Sequence, residues 1–143
     1  MQLIKEIEEK CQSKSEAIQL IRVRMKELTG ETMDSREAEI WLSQNLPLEK
    51  DYQKKIITRI RKLFPDAFVW KASAGPYSMG GIPDVCCVIN GRFYGFEVKR
   101  PFFGRLSDLQ RRMVDRIIAA GGLAYVVTSA EQVEELLAPE LGK

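Results

Sequence analysis

The sequence predicts an α/β domain preceded by a helical extension. Apolar residues recur at helical spacing over 48–64, directly ahead of a proline that ends the pattern. Two runs rich in β-branched and aromatic residues then flank Asn90-Gly91, the dipeptide typical of a two-residue hairpin turn. A capping box that begins at Ser107 opens a further helix, and a strand follows it. The predicted order after residue 45 is therefore α-β-β-β-α-β.

Residues 1–45 are predicted to form three short amphipathic helices, which make up the helical extension. Thr29-Gly30 ends the second helix and Asp34 begins the third. This segment carries 7 basic and 9 acidic side chains, a balance that argues against a DNA-binding headpiece. We expect it to cover the core or to form a subunit interface. Its predicted apolar faces consist of Leu3, Ile4, Ile7, Cys11, Ile18, Ile21, Met25, Leu28, Ala38, Trp41 and Leu42.

The elements of the second part, residues 46–143, are predicted from the spacing of apolar residues and from the residues that begin or end each helix and strand. A second capping box, from Ser129 to Gln132, predicts one more helix at the end of the chain. Gly121-Gly122 ends the helix that begins at Ser107. The predicted elements are a helix over 48–64, strands over 67–71, 84–89 and 92–99, a helix over 107–120, a strand over 123–127 and a helix over 129–137.

The two-residue turn fixes the register of the predicted hairpin. Residues at equal distances on either side of the turn pair with each other, so Asp84 faces Glu97. Directly opposed residues have Cβ atoms about 4.5–5.5 Å apart, where like charges destabilise the sheet. Lys99 projects from the same face because strand side chains alternate with period 2. We expect its positive charge between the two acids, and we expect Gly95 to leave space beside them.

Two carboxylates and an ammonium at one strand end suit a hard divalent cation and a phosphodiester. The pattern therefore predicts a phosphodiesterase site, in which Lys99 orients a nucleophile or offsets phosphate charge. A solvated cluster of ion pairs at an exposed sheet end is the alternative, since surface ion pairs are common.

The motifs of the second part resemble those of the VRR-NUC family, the virus-type replication-repair nucleases of the PD-(D/E)XK superfamily. The resemblance extends over roughly residues 48 to 130 and implies a restriction-endonuclease-like core, with a mixed central sheet flanked by helices. Holliday-junction resolvases are the nearest competing match. The motifs are Trp70-Lys71, Gly81-Ile82-Pro83-Asp84, Glu97-Val98-Lys99-Arg100-Pro101, Leu106-Ser107-Asp108-Leu109-Gln110 and Gly121-Gly122.

The resemblance also implies roles for individual residues. Asp84 and Glu97 would bind Mg²⁺ or Mn²⁺, with the Val98 carbonyl as a third ligand. Glu49 could complete the metal site, or it could serve only the dipole of its helix. Gln110 could act near the metal or only as part of the capping box. The predicted catalytic set is Asp84, Glu97, Lys99, Gln110 and Glu49.

Five positions around the site are predicted to contact nucleic acid. Lys71 precedes the Gly-x-Pro-Asp motif, although a strand-end lysine kept in water explains it as well. Two serines lie in the small, glycine-rich loop before Asp84, where the backbone can approach a phosphate closely. Tyr77 of the same loop is expected to be an ordinary loop residue. The predicted set is Lys71, Ser73, Ser78, Arg100 and Arg105.

Composition agrees with a carboxylate site. The chain has 143 residues, 45% of them hydrophobic, and it contains no histidine, which excludes histidine-dependent triads and His-Cys zinc sites. Three cysteines, two of them adjacent, offer neither a disulfide framework nor a zinc motif. Residues 46–127 carry 14 basic and 7 acidic side chains, which fits a polyanion. No apolar run of membrane length occurs, so we expect a cytoplasmic protein.

These observations predict a DNA endonuclease acting on branched DNA, with four-way junctions as the leading substrate by resemblance. A nuclease that trims flaps or single-stranded ends is one alternative, and a non-catalytic nucleic-acid-binding module is another. The family resemblance also suggests a bacterial or phage-infected cell, and a homodimer or higher homo-oligomer, because a junction has two symmetric strands.

Overall fold

The computed structural model of the chain describes residues 2–73 and 79–143. These residues divide into two compact units, one up to Pro47 together with Pro101–Phe103 and one comprising Leu48–Arg100 and Gly104–Lys143. No helix in the described ranges is long and apolar enough to cross a membrane. The elements are α1 (Gln2–Lys10), α2 (Lys14–Thr29), α3 (Ser35–Asn45), α4 (Glu49–Leu63), β1 (Phe68–Lys71), β2 (Val85–Ile89), β3 (Arg92–Val98), α5 (Asp108–Ala119), β4 (Leu123–Val127), α6 (Ala130–Leu137) and a 3₁₀ turn (Ala138–Glu140).

The first unit contains the three predicted helices of the extension. Gly30 ends α2 with a φ of 78°, a left-handed conformation that glycine adopts without steric cost, and Asp34 caps α3 by accepting the Glu37 N–H. Leu28 was expected in the apolar face but is 72% exposed. The helix α2 is longer than α1 and α3, so its last turn has less to pack against. The buried residues of the unit are Leu3, Ile4, Ile7, Ala17, Ile21, Ala38, Leu42 and Leu46.

The second unit has the predicted α-β-β-β-α-β order, and its sheet has the strand order β1-β2-β3-β4. The first three strands are antiparallel neighbours, whereas β4 is parallel to β3, so the sheet is mixed. The hairpin pairs Ile89 with Arg92 and Val85 with Phe96, which confirms the predicted register. A parallel pair requires a crossover connection, and α5 provides it.

The sheet has two different faces because its side chains alternate. The core face packs against α4, which packs in turn against α6. The opposite face, here called the site face, carries Glu97 and is covered in part by α5, which contacts β4. The site face consists of Phe68, Trp70, Cys86, Val88, Phe93, Gly95, Glu97, Ala124 and Val126. The buried core opposite it contains Tyr52, Ile56, Ile60, Val85, Cys87, Tyr94, Phe96, Val98, Val127, Val133 and Leu137.

Both predicted helix caps of the second unit are present, but they differ in detail. Ser107 accepts the Gln110 N–H, and the Gln110 side chain accepts the Ser107 N–H in return, a complete capping box. Ser129 likewise accepts the Gln132 N–H. The Gln132 side chain bonds the N–H of Thr128 rather than that of Ser129, so the reciprocal half of the second box is displaced by one residue.

A buried carboxylate fixes the end of the chain to the hairpin. Glu140 is 1% exposed and accepts hydrogen bonds from Tyr94 Oη at 2.6 Å and from Asn90 Nδ2 at 3.3 Å. Arg92 and Lys143 lie 3.6 Å from the same carboxylate. The Tyr94 hydrogen bond lowers the pKa of Glu140, whereas burial together with this bond raises the pKa of Tyr94. The ionised carboxylate is therefore held by several donors, as a buried charge requires.

Candidate active site

The two predicted carboxylates lie at the open end of the hairpin. Asp84 directly precedes β2 and Glu97 is the penultimate residue of β3, so the confirmed register places them opposite each other. Asp84 is held by the backbone, because its Oδ2 accepts the Val98 N–H at 2.8 Å and its carbonyl accepts the Ala72 N–H at 2.9 Å. The residue that follows β1 thus helps to orient Asp84 at the beginning of β2.

The Glu97 side chain is 1% exposed, and its two oxygens differ in their surroundings. Oε1 accepts a hydrogen bond from Gln110 Nε2 at 2.8 Å and lies 3.8 Å from Lys99 Nζ. Oε2 is buried and accepts no hydrogen bond from any donor within residues 2–73 and 79–143. Burial, reinforced by a side-chain hydrogen bond with Asp84 and by repulsion from its charge, raises the pKa of Glu97 to about 8. A buried acceptor without a donor costs free energy, and a bound cation at this oxygen would remove that cost.

Gln110 completes the capping box and also contacts Glu97, a predicted metal ligand. Its Oε1 accepts the Ser107 N–H that completes the helix cap, and the same oxygen accepts a hydrogen bond from Lys99 Nζ at 2.9 Å. Its Nε2 donates to Glu97. The capping box therefore fixes the side chain that joins the lysine to the carboxylate.

Lys99 is placed on the Gln110 side of the acid pair. Its side chain is 13% exposed, and its nearest polar partners among the described residues are Gln110 Oε1 at 2.9 Å and Glu97 Oε1 at 3.8 Å. We expected the ammonium between the two acids, but the described contacts join it to Glu97 and Gln110, because the Val98 N–H is the donor that reaches Asp84.

The space above Gly95 is filled, contrary to expectation. A Cβ on Gly95 would lie 2.9 Å from Cγ of Pro83, whose ring folds back over the strand. The thiol of Cys86, which pairs with Gly95, donates to the Pro83 carbonyl at 3.4 Å. Burial raises the pKa of this thiol to about 11, so it is a packing residue beneath the acids. Glycine is required here because the proline before Asp84 approaches the backbone closely.

Pro83 also removes a hydrogen-bond donor from the end of the hairpin. The confirmed register, continued by two residues, places Pro83 opposite Val98. Members of a hydrogen-bonded antiparallel pair exchange both N–H···O bonds, but proline has no N–H to give. Asp84 accepts the Val98 N–H in place of a backbone partner. The Val98 carbonyl, which points to the same side as its N–H, therefore cannot receive the ladder hydrogen bond that a residue with an N–H at position 83 would donate.

Glu49 lies at the first position of α4 and is half-buried. Burial and the charge of Asp84 raise its pKa, while Lys99 opposes them. It therefore belongs to the same electrostatic neighbourhood. Among the described residues, however, no three acidic, cysteine or histidine side chains are close enough to share an ion. A direct ligand set would thus consist of Asp84, Glu97 and the Val98 carbonyl.

The residues predicted to contact nucleic acid are distributed unevenly around the site. Lys71 is exposed but pairs with Val85, so its side chain belongs to the face opposite Glu97. Ser73 and Arg105 are exposed in coil, and Arg100 is half-buried just beyond β3. Ser78 and Tyr77 lie outside the described residues.

Sequence reasoning missed the part that α5 plays beyond Gln110. Leu109 and Met113 lie against Gly81. Gly81 precedes β2 and has a φ of 80°, a backbone conformation that favours glycine. The helix thereby supports the segment that carries Pro83 and Asp84. The only sequence signal for this packing is the glycine pair ahead of the Pro-Asp motif.

Solved structures provide an independent comparison. One described as "VRR_NUC domain" superposes with a TM-score of 0.52 at 28% sequence identity, covering 63% of this chain and 94% of that chain. A second, described as "VRR_NUC domain protein", has a TM-score of 0.51 at 14% identity, covering 64% of this chain and 86% of that chain. The second supports the fold alone. No family model and no curated protein matches the sequence.

The mixed sheet, its flanking helices and the family resemblance of the motifs agree with this comparison. The predicted fold class, a restriction-endonuclease-like core with an N-terminal helical extension, is confirmed. The chain is therefore similar in fold, and over part of its sequence, to a solved VRR_NUC nuclease domain.

Proposed function

We propose that the protein is a Mg²⁺- or Mn²⁺-dependent DNA endonuclease that acts on branched DNA. The observation that carries this proposal is the buried Glu97 Oε2, which has no donor among the described residues and belongs to the residue that lies opposite Asp84. A purely structural carboxylate would be expected to have its hydrogen bonds satisfied, as Glu140 does.

The donor set fits a hard divalent cation. Asp84, Glu97 and the Val98 carbonyl offer only oxygen atoms, which Mg²⁺ prefers. Burial and the neighbouring Asp84 raise the pKa of Glu97, and a bound cation would oppose this shift because it favours the ionised carboxylate. When bound, such an ion would polarise a phosphodiester and acidify an attacking water.

The surrounding residues would prepare the site for that chemistry. Gln110 fixes Glu97 Oε1 and leaves Oε2 free to bind, while the Val98 N–H holds Asp84 in place. Lys99, restrained by Gln110, would orient the nucleophile or offset the charge of the phosphate. Intact acids that repel phosphate would not serve a module that only binds DNA.

The charge balance of the segment that contains the site supports DNA as the substrate. Residues 46–127 have twice as many basic as acidic side chains, 14 against 7, and such an excess binds phosphates without reading sequence. Selectivity for branched DNA rests on the family resemblance.

A two-fold assembly would present two such sites to symmetric strands. The helical extension exposes Val23, Leu28 and Ile40 at 50%, 72% and 47%, which supports a subunit interface there. Sedimentation of the intact protein at micromolar concentration should give a dimer mass; a monomer mass would contradict the assembly.

The function is tested by incubating wild-type protein with labelled four-way junction, flap, single-stranded and linear duplex DNA. Each substrate is combined with Mg²⁺, Mn²⁺, Ca²⁺ or EDTA. We expect cleavage with Mg²⁺ or Mn²⁺ only, and faster cleavage of the branched substrates. Binding to these DNAs without cleavage under any ion would favour the non-catalytic module instead.

A further inference from the structure

Three aromatic rings run across the site face at the edge strand β1. The ring centroids of Phe68 and Trp70 are 5.2 Å apart, and those of Trp70 and Phe93 are 6.2 Å apart. Phe68 is 68% exposed, while the other two are half-buried. These three residues are here called the aromatic row. Aromatic side chains usually bury their large apolar surface, so a row with one mostly exposed ring and two half-buried rings needs a reason.

The row lies on the same face of the sheet as the acid pair. Trp70 pairs with Cys86, two residues along β2 from Asp84, and Phe68 pairs with Val88, four residues along. A strand rises about 3.3 Å per residue, so the two rings lie about 7 and 13 Å from the level of the acids. Trp70 and Phe68 thus lie at increasing distances from the acid pair on one face of the sheet.

Two exposed arginines lie on the helix that borders this face. Arg112 and Arg116 share one stripe of α5 with Leu109 and Met113, because residues three and four apart are neighbours on a helix. Leu109 and Met113 lie against Gly81, so the stripe faces the segment that enters β2. Neither arginine forms an ion pair within the described ranges, and both are exposed. The same helix reaches the row itself, since a Cβ on Gly122 would contact both Ile117 and Phe93.

We propose that the aromatic row stacks bases of an unpaired DNA strand next to the scissile phosphate, while Arg112 and Arg116 contact its phosphates. Base stacking on aromatic side chains together with a basic border is how proteins bind single strands without reading sequence. A base inside a duplex has no free face for such stacking. The inference deepens the proposed function and rests on that function. Among branched DNAs, the aromatic row would favour those with an unpaired arm, such as flaps.

Binding is tested without any divalent ion, so that it does not depend on cleavage. The chain has two tryptophans, and a Trp41→Phe variant leaves Trp70 as the reporter. Titration with oligodeoxythymidine of about 12 nucleotides, within the range of single-strand site sizes, should quench Trp70 fluorescence. A duplex of the same length should quench it much less.

Variants then separate the row from other exposed apolar residues. Phe68→Ala should weaken binding of the labelled oligonucleotide about tenfold, as loss of one stacked base does. The control Leu141→Ala removes an exposed apolar side chain that follows the 3₁₀ turn, outside the aromatic row and the helical extension, and should leave binding unchanged. Arg112→Gln with Arg116→Gln should reduce the slope of log affinity against log salt by about 1.4, about 0.7 for each lost phosphate contact.

Unchanged single-strand affinity in both Phe68→Ala and Trp70→Leu would overturn the inference, as would unaltered Trp70 emission. Phe68 is mostly exposed, so its variant should fold even if Trp70→Leu does not. A Phe68-dependent self-association with unchanged DNA binding would assign the row to a second copy and also overturn it. If the row binds single strands but no ion supports cleavage, the proposed nuclease function fails while the inference about the row stands. If flaps are cut equally well without the row, only this inference fails.

Discussion

The side-chain amide of Gln110 donates a hydrogen bond to the Glu97 carboxylate at 2.8 Å. Gln110 is also the reciprocal member of the cap that begins α5. A helix terminus and a predicted metal ligand are thus held by one side chain, which makes the position of Glu97 depend on the formation of the helix.

Replacing Gln110 should therefore affect both stability and activity. Gln110→Met keeps the length of the side chain but removes the cap bond and the bonds to Lys99 and Glu97. We expect a loss of about 1 kcal/mol in the free energy of unfolding and about 10–100-fold in cleavage rate, as for partners that orient metal ligands. Denaturant unfolding and single-turnover cleavage measure the two effects.

Gln132→Met is the matched control, since Gln132 caps α6 through Thr128 and forms no hydrogen bond to the acid pair within the described ranges. It should lose similar stability and keep its cleavage rate. If both variants lose activity equally, Gln110 acts only through stability.

Gly95 and Pro83 should behave as a coupled pair. Gly95→Ala places a methyl group 2.9 Å from the Pro83 ring, and such overpacking costs about 1–3 kcal/mol. The change should also lower activity, because Asp84 follows the displaced proline. Thermal unfolding of Gly95→Ala, Pro83→Ala and the double variant forms a double-mutant cycle. We expect the double variant to regain part of the stability that Gly95→Ala loses; additive losses would contradict the contact.

The raised pKa of Glu97 predicts that the metal-free protein becomes less stable as pH increases. The folded state holds a proton on Glu97 up to a pKa of about 8, whereas the unfolded chain releases it near 4.5. Between these values the folded state binds more protons, so the free energy of unfolding falls with pH. Unfolding in EDTA from pH 5 to pH 9 should show this fall, and Glu97→Gln should flatten it. A wild-type stability that rises over this window would oppose the assignment.

Tyr94 should contribute to stability but not to catalysis. Tyr94→Phe removes the 2.6 Å hydrogen bond to the buried Glu140 and leaves a buried carboxylate short of a donor, at a cost of about 1–3 kcal/mol. The pKa of Glu140 is lowered in the folded state. The Glu140 carboxylate therefore contributes stability that is lost as pH falls through this lowered pKa. Acid unfolding should therefore begin at a higher pH in the variant. Tyr125→Phe is the control, and both variants should cleave DNA at the wild-type rate.

Local patterns of the sequence predicted most of the fold. The Asn90-Gly91 turn fixed the hairpin register that places Asp84 opposite Glu97, and the caps at Ser107 and Ser129 located two helices. These signals are short-range, because a turn or a cap depends on residues only a few positions apart.

Features that depend on tertiary packing were harder to predict. The proline ring over Gly95, the exposure of Leu28 and the position of Lys99 beside Gln110 each depend on how one element meets another. The spacing of apolar residues in a helix predicts which face is apolar. It does not predict how far the helix that packs against this face extends along it. The aromatic row likewise requires the pairing of β1 with β2 to be known.

The most direct test of the central claim is Mn²⁺-dependent cleavage of a labelled flap DNA by wild type, Asp84→Asn and Lys99→Met. The controls Asp66→Asn and Lys62→Met make the same substitutions at exposed positions of the second unit. The account predicts cleavage by wild type and both controls, strict dependence on the ion, and loss of at least about 100-fold in the two site variants. Equal cleavage by Asp84→Asn and wild type, or cleavage that persists in EDTA, would contradict it.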